Sequence, residues 1–434
     1  MSVLLYGFLI YFSFLIIAFM SLTRIWPSRD VLYPVNVFFL WKFIEVPYLL
    51  YVSQNGLTQV VYTLVGDFNY LYCEFLLWKG LEVTAFGIVV SSIDRSVLKR
   101  PVLAGVSLGF NYKLILAMAF GAAIFYLHAI GGVMGAISSI HSRGGERAVS
   151  AYLDELLRWS AIVGIIFFRR ETDNKLLFFA LFMFFAMVSA LSGSRAKPII
   201  IVFTYFIVAN YLDDFFKLKM RYVMVLPLLL FFISSWQLFR YEGAIDRYSA
   251  NPGELLIDAL NNNVNTLSRF SDIDTSIYLI STFGFDKELW AGRTFLNLVY
   301  APIPRSMFKD KPPVDDGVYI FSKAAGLYVD PPMPMNKLAK TSWPATTISN
   351  FYLNFDYVGL IGAAFFNSFL MITVYRIVFL TRNTRHLLWA CGIYSMYVLN
   401  SIKITTLGIV NVLMCLIVMT FVLEVAKNRG ESKK

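Results

Sequence analysis

The sequence predicts an all-α, polytopic membrane protein, and three observations carry that prediction. Hydrophobic residues make up 58% of the 434-residue chain, aromatic residues 17%, and the mean hydropathy is +0.62. That is more apolar surface than a soluble domain can hide. Apolar runs of spanning length recur along the chain, about eleven in all. The connections between them alternate between basic and sparsely basic, as they do when successive loops lie on opposite sides of a bilayer.

The first run, Val3 to Ser21, carries no charge. It lacks a basic leader and a small-x-small cleavage site, so it reads as a retained helix and not a signal peptide. Further runs follow at 31–52, 69–92, 112–137, 156–168, 176–193, 198–213 and 222–239. The run at 156–168 is short and spans only if Ala151 to Arg158 continues it as an amphipathic first turn. Two runs carry both signs of charge: Lys42 and Glu45 in the second, and Glu74, Lys79 and Glu82 in the third. Opposite signs in adjacent helices point to a self-neutralising salt-bridge network before an ion pathway. A polar loop of about 105 residues, 241–345, then precedes the last runs, at 357–380, 386–402 and 405–425. The chain thus divides into spans one to eight over 1–240, a large loop over 241–345, and spans nine to eleven with a tail over 346–434.

Basic clusters mark the odd-numbered connections: Arg24 and Arg29; Arg95, Lys99 and Arg100; Arg169, Arg170 and Lys175; Lys217, Lys219 and Arg221; Arg376, Arg382 and Arg385. The tail adds Lys427, Arg429, Lys433 and Lys434. The positive-inside rule therefore places the N-terminus outside, the C-terminus in the cytoplasm and the long loop outside. A net charge of +10 follows from these clusters and implies no nucleic-acid partner. A loop of this length, rich in Arg, Asp, Asn and Pro, is expected to carry short amphipathic helices and a binding or catalytic surface.

Several cations nevertheless sit on the outer side, where they are disfavoured. Arg143 and Arg147 lie in one outer connection, Arg195 and Lys197 in another, and Arg240 closes the eighth run, with Arg247, Arg269 and Arg305 beyond it. Each alone snorkels or pairs with a carboxylate as readily as it binds a ligand. As a group they suit a phosphate-bearing lipid, because guanidinium groups grip phosphate oxygens through paired charge-assisted bonds. Cys73, Cys391 and Cys415 fall inside apolar runs, and His128, His141 and His386 are scattered. No metal-ligand spacing, phosphate-cradling Gly-rich loop, Gly-x-Ser-x-Gly turn or internal repeat is present, so neither a metal nor a cofactor is expected.

Four segments, Ser192 to Arg195, Ser268 to Asp272, Ala301 to Pro312 and Thr346 to Gly359, resemble elements of the bacterial O-antigen and related oligosaccharide repeat-unit polymerases (the Wzy type). Ala301-Pro302-Ile303-Pro304-Arg305-Ser306-Met307-Phe308-Lys309-Asp310-Lys311-Pro312 is similar to their Ile-Pro-Arg-x-x-(Trp/Phe)-x-x-Lys-Pro segment. Ser192-Gly193-Ser194-Arg195 resembles a Ser-Arg step that they share with the O-antigen ligases, and Ser268-Arg269-Phe270-Ser271-Asp272 their Arg-Phe-x-Asp element. The stretch Thr346 to Gly359, through Tyr352-Leu353-Asn354-Phe355-Asp356-Tyr357-Val358-Gly359, is similar to a Tyr-x-Asn-Phe-Gly-x-x-Gly entry to the next span, with Asp356 where the pattern has Gly. The resemblance covers the topology of most of the chain, and its motifs fall mainly in the second half.

The resemblance implies a membrane glycosyltransferase of GT-C-like architecture in the bacterial inner membrane. Its substrate would be an oligosaccharide on undecaprenyl pyrophosphate, and a chain-length regulator would be a partner beside the membrane lipids. A pyrophosphate leaving group needs no metal where fixed cations absorb its charge. Arg195, Arg240, Arg269 and Arg305 are the expected binders, with Arg143, Arg147 and Lys311 behind them. Asp272 is the first candidate for a base acting on the acceptor hydroxyl, followed by Glu242 and Asp274; the competing role for each is a plain ion pair. Two alternatives stay open: an O-antigen ligase, for which only His141 could supply an outer histidine, and a lipid-linked oligosaccharide flippase, which would favour internal repeats.

Overall fold

The structure, a computed structural model, describes residues 3–25, 30–57, 67–92, 111–129, 131–132, 151–172, 174–190, 196–212, 247–248, 250–251, 253–259, 273–283, 289–303, 307–339, 341–343, 345–380, 384–399 and 403–426, with Leu238 and Asn262. Among these residues the fold is all-helical, without a strand. The helices are α1 (Val3–Ile25), α2 (Pro34–Asn55), α3 (Phe68–Ser91), α4 (Tyr112–Ala129), α5 (Ala151–Glu171), α6 (Lys175–Ala190) and α7 (Ala196–Leu212). After them come α8 (Ile273–Phe283), α9 (Asp316–Ala324), α10 (Thr347–Leu380), α11 (Thr384–Val398) and α12 (Thr406–Ala426).

Ten of the eleven predicted runs coincide with a helix, and the eighth, 222–239, lies outside the described residues apart from Leu238. The short fifth run does extend through Ala151–Arg158 into one helix. Five of the described helices (α1, α2, α4, α10 and α12) are long and apolar enough to cross a membrane, and α6 and α7 are apolar but shorter. Charge sets α3 apart, since Glu74, Lys79 and Glu82 interrupt its apolar stretch. The chain is a helical membrane protein with at least these five candidate spans among its described residues.

The chain falls into two compact units, each drawn from separated segments: Met1–Ser96, Val264–Thr373 and Asn400–Asn411 form the first, and Val97–Asn263, Val374–Leu399 and Val412–Lys434 the second. In the second unit α4 packs along α5, and α7 against α6 and α11. Small residues permit the close approach: a Cβ on Gly164 would come within 2.9 Å of Leu116, and one on Gly392 within 2.9 Å of Met419. In the first unit α1 packs on both α2 and α3, burying Phe8, Tyr11, Leu15 and Leu22. Phe38 of α2 stacks on Phe86 of α3 with centroids 4.0 Å apart. The loop helix α8 lies against α3 and α9.

Helix α10 is two helical segments joined at Asp356, whose backbone (φ 57°, ψ −150°) is not helical. Trp343 ties segments of this unit together: its ring meets Tyr278 of α8 at 5.3 Å and Phe321 of α9 at 5.4 Å. Trp343 also donates its backbone N–H to Gly317 O at 3.1 Å. A Cβ at residue 317 would fall 1.7 Å from Trp343 O, so only glycine fits this seam.

Candidate functional site

The pairing of α2 with α3 orders the polar groups of the first unit. Lys42 bonds Glu82, and Lys79 lies 3.1 Å from Glu45 and 3.8 Å from Glu82. Two cations and two carboxylates cancel, as expected from the mixed signs for four of the five charges in these runs; the fifth, Glu74, is engaged by Tyr357 instead. Nearer the end of the pair that joins residues 55–67, Tyr72 donates its hydroxyl to Leu49 O at 2.9 Å.

Two more carboxylates sit at that same end. Asp274, in the first turn of α8, is buried, and its Oδ1 accepts the Tyr48 hydroxyl at 2.6 Å. Glu74 of α3 is buried and accepts the hydroxyl of Tyr357, the residue after the break in α10. Trp78 packs on Tyr352 with ring centroids 4.4 Å apart, which fixes α3 against the N-terminal segment of α10. Each carboxylate is thus held by a tyrosine, in a unit whose loop segments are anchored to its helices.

The anchoring is done by residues 290–297, through a 3-10 turn Arg293–Leu296 that continues into one α-turn, Asn297–Tyr300. Trp290 donates its backbone N–H to Leu353 O at 3.0 Å, and Gly292 N–H reaches Asn354 Oδ1 at 3.0 Å. The Asn354 amide donates to Thr294 Oγ1 at 3.0 Å and to Asn350 O at 2.8 Å. Gly292 has φ 81° and lies against Phe355, so this turn also requires glycine. The Thr406 hydroxyl donates to Thr294 O at 2.9 Å, and Thr406 N–H to Asp316 Oδ2 at 2.7 Å, so Asp316 covers the start of α12. Asp316 is 1% exposed, and Oδ1 makes no protein hydrogen bond. Burial pushes its carboxyl up to about 7, against the pull of the Thr406 hydrogen bonds.

Of the residues expected to form the site, Asp274 and Lys311 are placed. Asp274 accepts the Tyr48 hydroxyl. Lys311 donates its ammonium to Ala301 O and Ile303 O, each at 2.7 Å, and so ties itself to residues 301–303. Arg143, Arg147, Arg195, Arg240, Arg269, Arg305, Asp272 and Glu242 lie outside the described residues. Among the described residues no group of His, Cys, Asp or Glu has the arrangement of a metal site.

Sequence reasoning missed Asp316, Asn354, Glu74 as a site residue, and Tyr48. The signal for Asp316 was present in Asp315-Asp316-Gly317 ahead of an amphipathic helix, where Asp315 Oδ1 accepts Gly317 N–H at 3.0 Å. Tyr48 gave no such sign, and Glu74 was legible only as one charge of the mixed-sign runs, because its tyrosine partner lies 283 residues away. Searches of the chain against protein-family models, curated proteins and solved structures find no match in any of the three.

Proposed function

We propose that this protein is a membrane glycosyltransferase that polymerises oligosaccharide units carried on undecaprenyl pyrophosphate at the outer face of a bacterial inner membrane, through about eleven spans and one large external loop. The growing chain is the donor. A hydroxyl of the incoming lipid-linked unit attacks the chain's reducing-end anomeric carbon, the bond from that carbon to the pyrophosphate oxygen breaks, and undecaprenyl pyrophosphate leaves. Arg195, Arg240, Arg269 and Arg305 take up the charge developing on the leaving group. The acceptor proton passes to a loop carboxylate, Asp272 first, with Glu242 and Asp274 next.

One observation carries this reading. One segment that resembles the polymerase family is tied to the turn that leads toward another: Asn354, inside the Tyr352–Gly359 element, accepts from Gly292 N–H and donates to Thr294 Oγ1, in the stretch that precedes the Ala301–Pro312 element. Two further features support it. Asp356, where the family pattern has Gly, takes a positive φ of 57°, and a Cβ at the second pattern glycine, Gly359, would fall 2.4 Å from Phe351 O. The pattern glycines therefore have a backbone reason at both positions in this chain.

The experiment is deletion in the native host, followed by complementation and a gel of the lipopolysaccharide. A polymerase leaves single-unit bands on deletion; unligated polymer would mean a ligase, and loss of all surface antigen a flippase. Complementation with Arg195→Lys, Arg269→Lys or Arg305→Lys is expected to fail. Loss of a paired guanidinium contact to the phosphate costs about 2–4 kcal/mol of transition-state stabilisation. Long chains from all three variants would remove the cationic site from the mechanism.

A further inference from the structure

The loop segment that anchors to α10 has a second face. Trp290, Thr294 and Asn297 are buried and hold it to the protein, while Leu296, Val299 and Ile303 point away, Val299 being 71% exposed. The separations of three and four residues place these three on one side of a helical ribbon. The line does not end at the loop. Phe295 packs edge-on against Phe351 (5.5 Å) and Phe351 against Phe355 (6.0 Å), and Phe355 is itself exposed. Beyond it Val358, 81% exposed, and Ile361 and Phe365 continue an exposed apolar surface along α10, a helix long and apolar enough to span.

An exposed apolar face on a spanning helix is suited to acyl chains, and the segment that carries the loop line packs on the same helix, through Phe295 against Phe351 and Phe351 against Phe355, on the N-terminal side of its break at Asp356. The flanks suit the boundary of a bilayer. Arg293 is exposed at the start of the line and paired with Asp330, Lys309 is exposed beyond its end, and Lys311 ties down the carbonyls of Ala301 and Ile303. An apolar face between charged flanks, Arg293 with Asp330 at one end and exposed Lys309 with exposed Asp310 at the other, suits an element lying in the headgroup–acyl boundary. We propose that residues 293–303 are a monotopic membrane anchor, with Leu296, Val299 and Ile303 inserted in the bilayer interface beside the end of α10. The anchor would hold the base of the loop at the depth of lipid headgroups, whichever reaction the protein performs.

The test uses the full-length protein in lipid nanodiscs. Leu296→Cys and Val299→Cys are each made in a Cys73→Ser background and labelled with an environment-sensitive fluorophore. The labelled Cys73→Ser parent serves as the blank for buried Cys391 and Cys415. Asn336→Cys, at an exposed polar position, is the aqueous control. Insertion by one side chain's depth predicts that lipids brominated at shallow acyl carbons quench the labels at 296 and 299 about twofold, with little effect of aqueous iodide. The label at 336 should show the reverse. Iodide quenching at 296 and 299 equal to that at 336 would place the segment in water and overturn the anchor. Protection from both quenchers would mean that protein, such as a second copy of the chain, covers the face, and would equally overturn it.

Discussion

At the residue scale, Asp316 and Asp274 show how the same side chain is put to different uses by its surroundings. Asp274 shares its carboxylate with the Tyr48 hydroxyl, whereas Asp316 faces a backbone N–H with one oxygen and protein interior with the other. From an ordinary value of 3.8, burial first of all, with Asp315 adding to it, raises the Asp316 carboxyl to about 7, while the Thr406 hydrogen bonds oppose the rise. The folded protein therefore holds a proton between those two values that the unfolded chain releases. This stabilisation is fully present below the unfolded value and is lost as pH rises through about 7. The loss is on the order of 4 kcal/mol, at about 1.4 kcal/mol for each unit of separation. Asp316→Asn keeps an oxygen for Thr406 N–H and cannot ionise, so its stability should be flat where the wild type falls. Thermal unfolding in detergent at pH 5 and pH 8 checks this. An equal drop in both proteins would assign the pH dependence to another group.

At the element scale, the break in α10 is the feature with the clearest cost. A non-glycine residue at φ 57° and ψ −150° costs about 1–3 kcal/mol of backbone strain, and glycine's greater freedom when unfolded returns about 0.5–1 kcal/mol of any relief. Asp356→Gly should therefore stabilise the protein by about 1 kcal/mol net, read as a rise in the thermal midpoint. A fall would show that contacts of the Asp356 side chain outweigh the strain. The break also explains the hydrogen bonding around it. The N-terminal segment of α10 is free to follow the loop, with Asn354 binding Gly292 and Thr294, while beyond the break Tyr357 binds Glu74 of α3. A glycine-bearing motif was legible in the sequence; that a helix runs up to its first glycine position and breaks there was not, because the apolar run begins only at residue 357.

At the scale of the whole molecule, the arrangement rests on which side the loop faces. The basic clusters at alternate connections predict a cytoplasmic C-terminus and an external loop. Alkaline phosphatase fused after Ile280, within α8, should be active, and the same fusion at Lys434 inactive. An inactive Ile280 fusion would put the loop in the cytoplasm, and the proposed reaction at the outer face would go with it. The anchor proposed for residues 293–303 would survive that result, since a bilayer has an interface on both sides.

The sequence by itself determined the helices, because an apolar run of spanning length satisfies its own backbone hydrogen bonds and needs no distant partner to form. It also determined the charge-neutral network of Lys42, Glu45, Lys79 and Glu82, since charges buried in neighbouring helices are tolerable only in balance. The tertiary structure alone decided which polar residues meet. Asn354 reaches Thr294 across 60 residues, Asp316 covers Thr406 across 90, and Asp274 meets Tyr48 across 226. Hydrogen bonds at such separations follow from how helices pack, and local spacing carries no trace of them. Lys311 shows the same division: its place in a family-like motif was read from the chain, but the carbonyls that hold it were set by the fold of the loop.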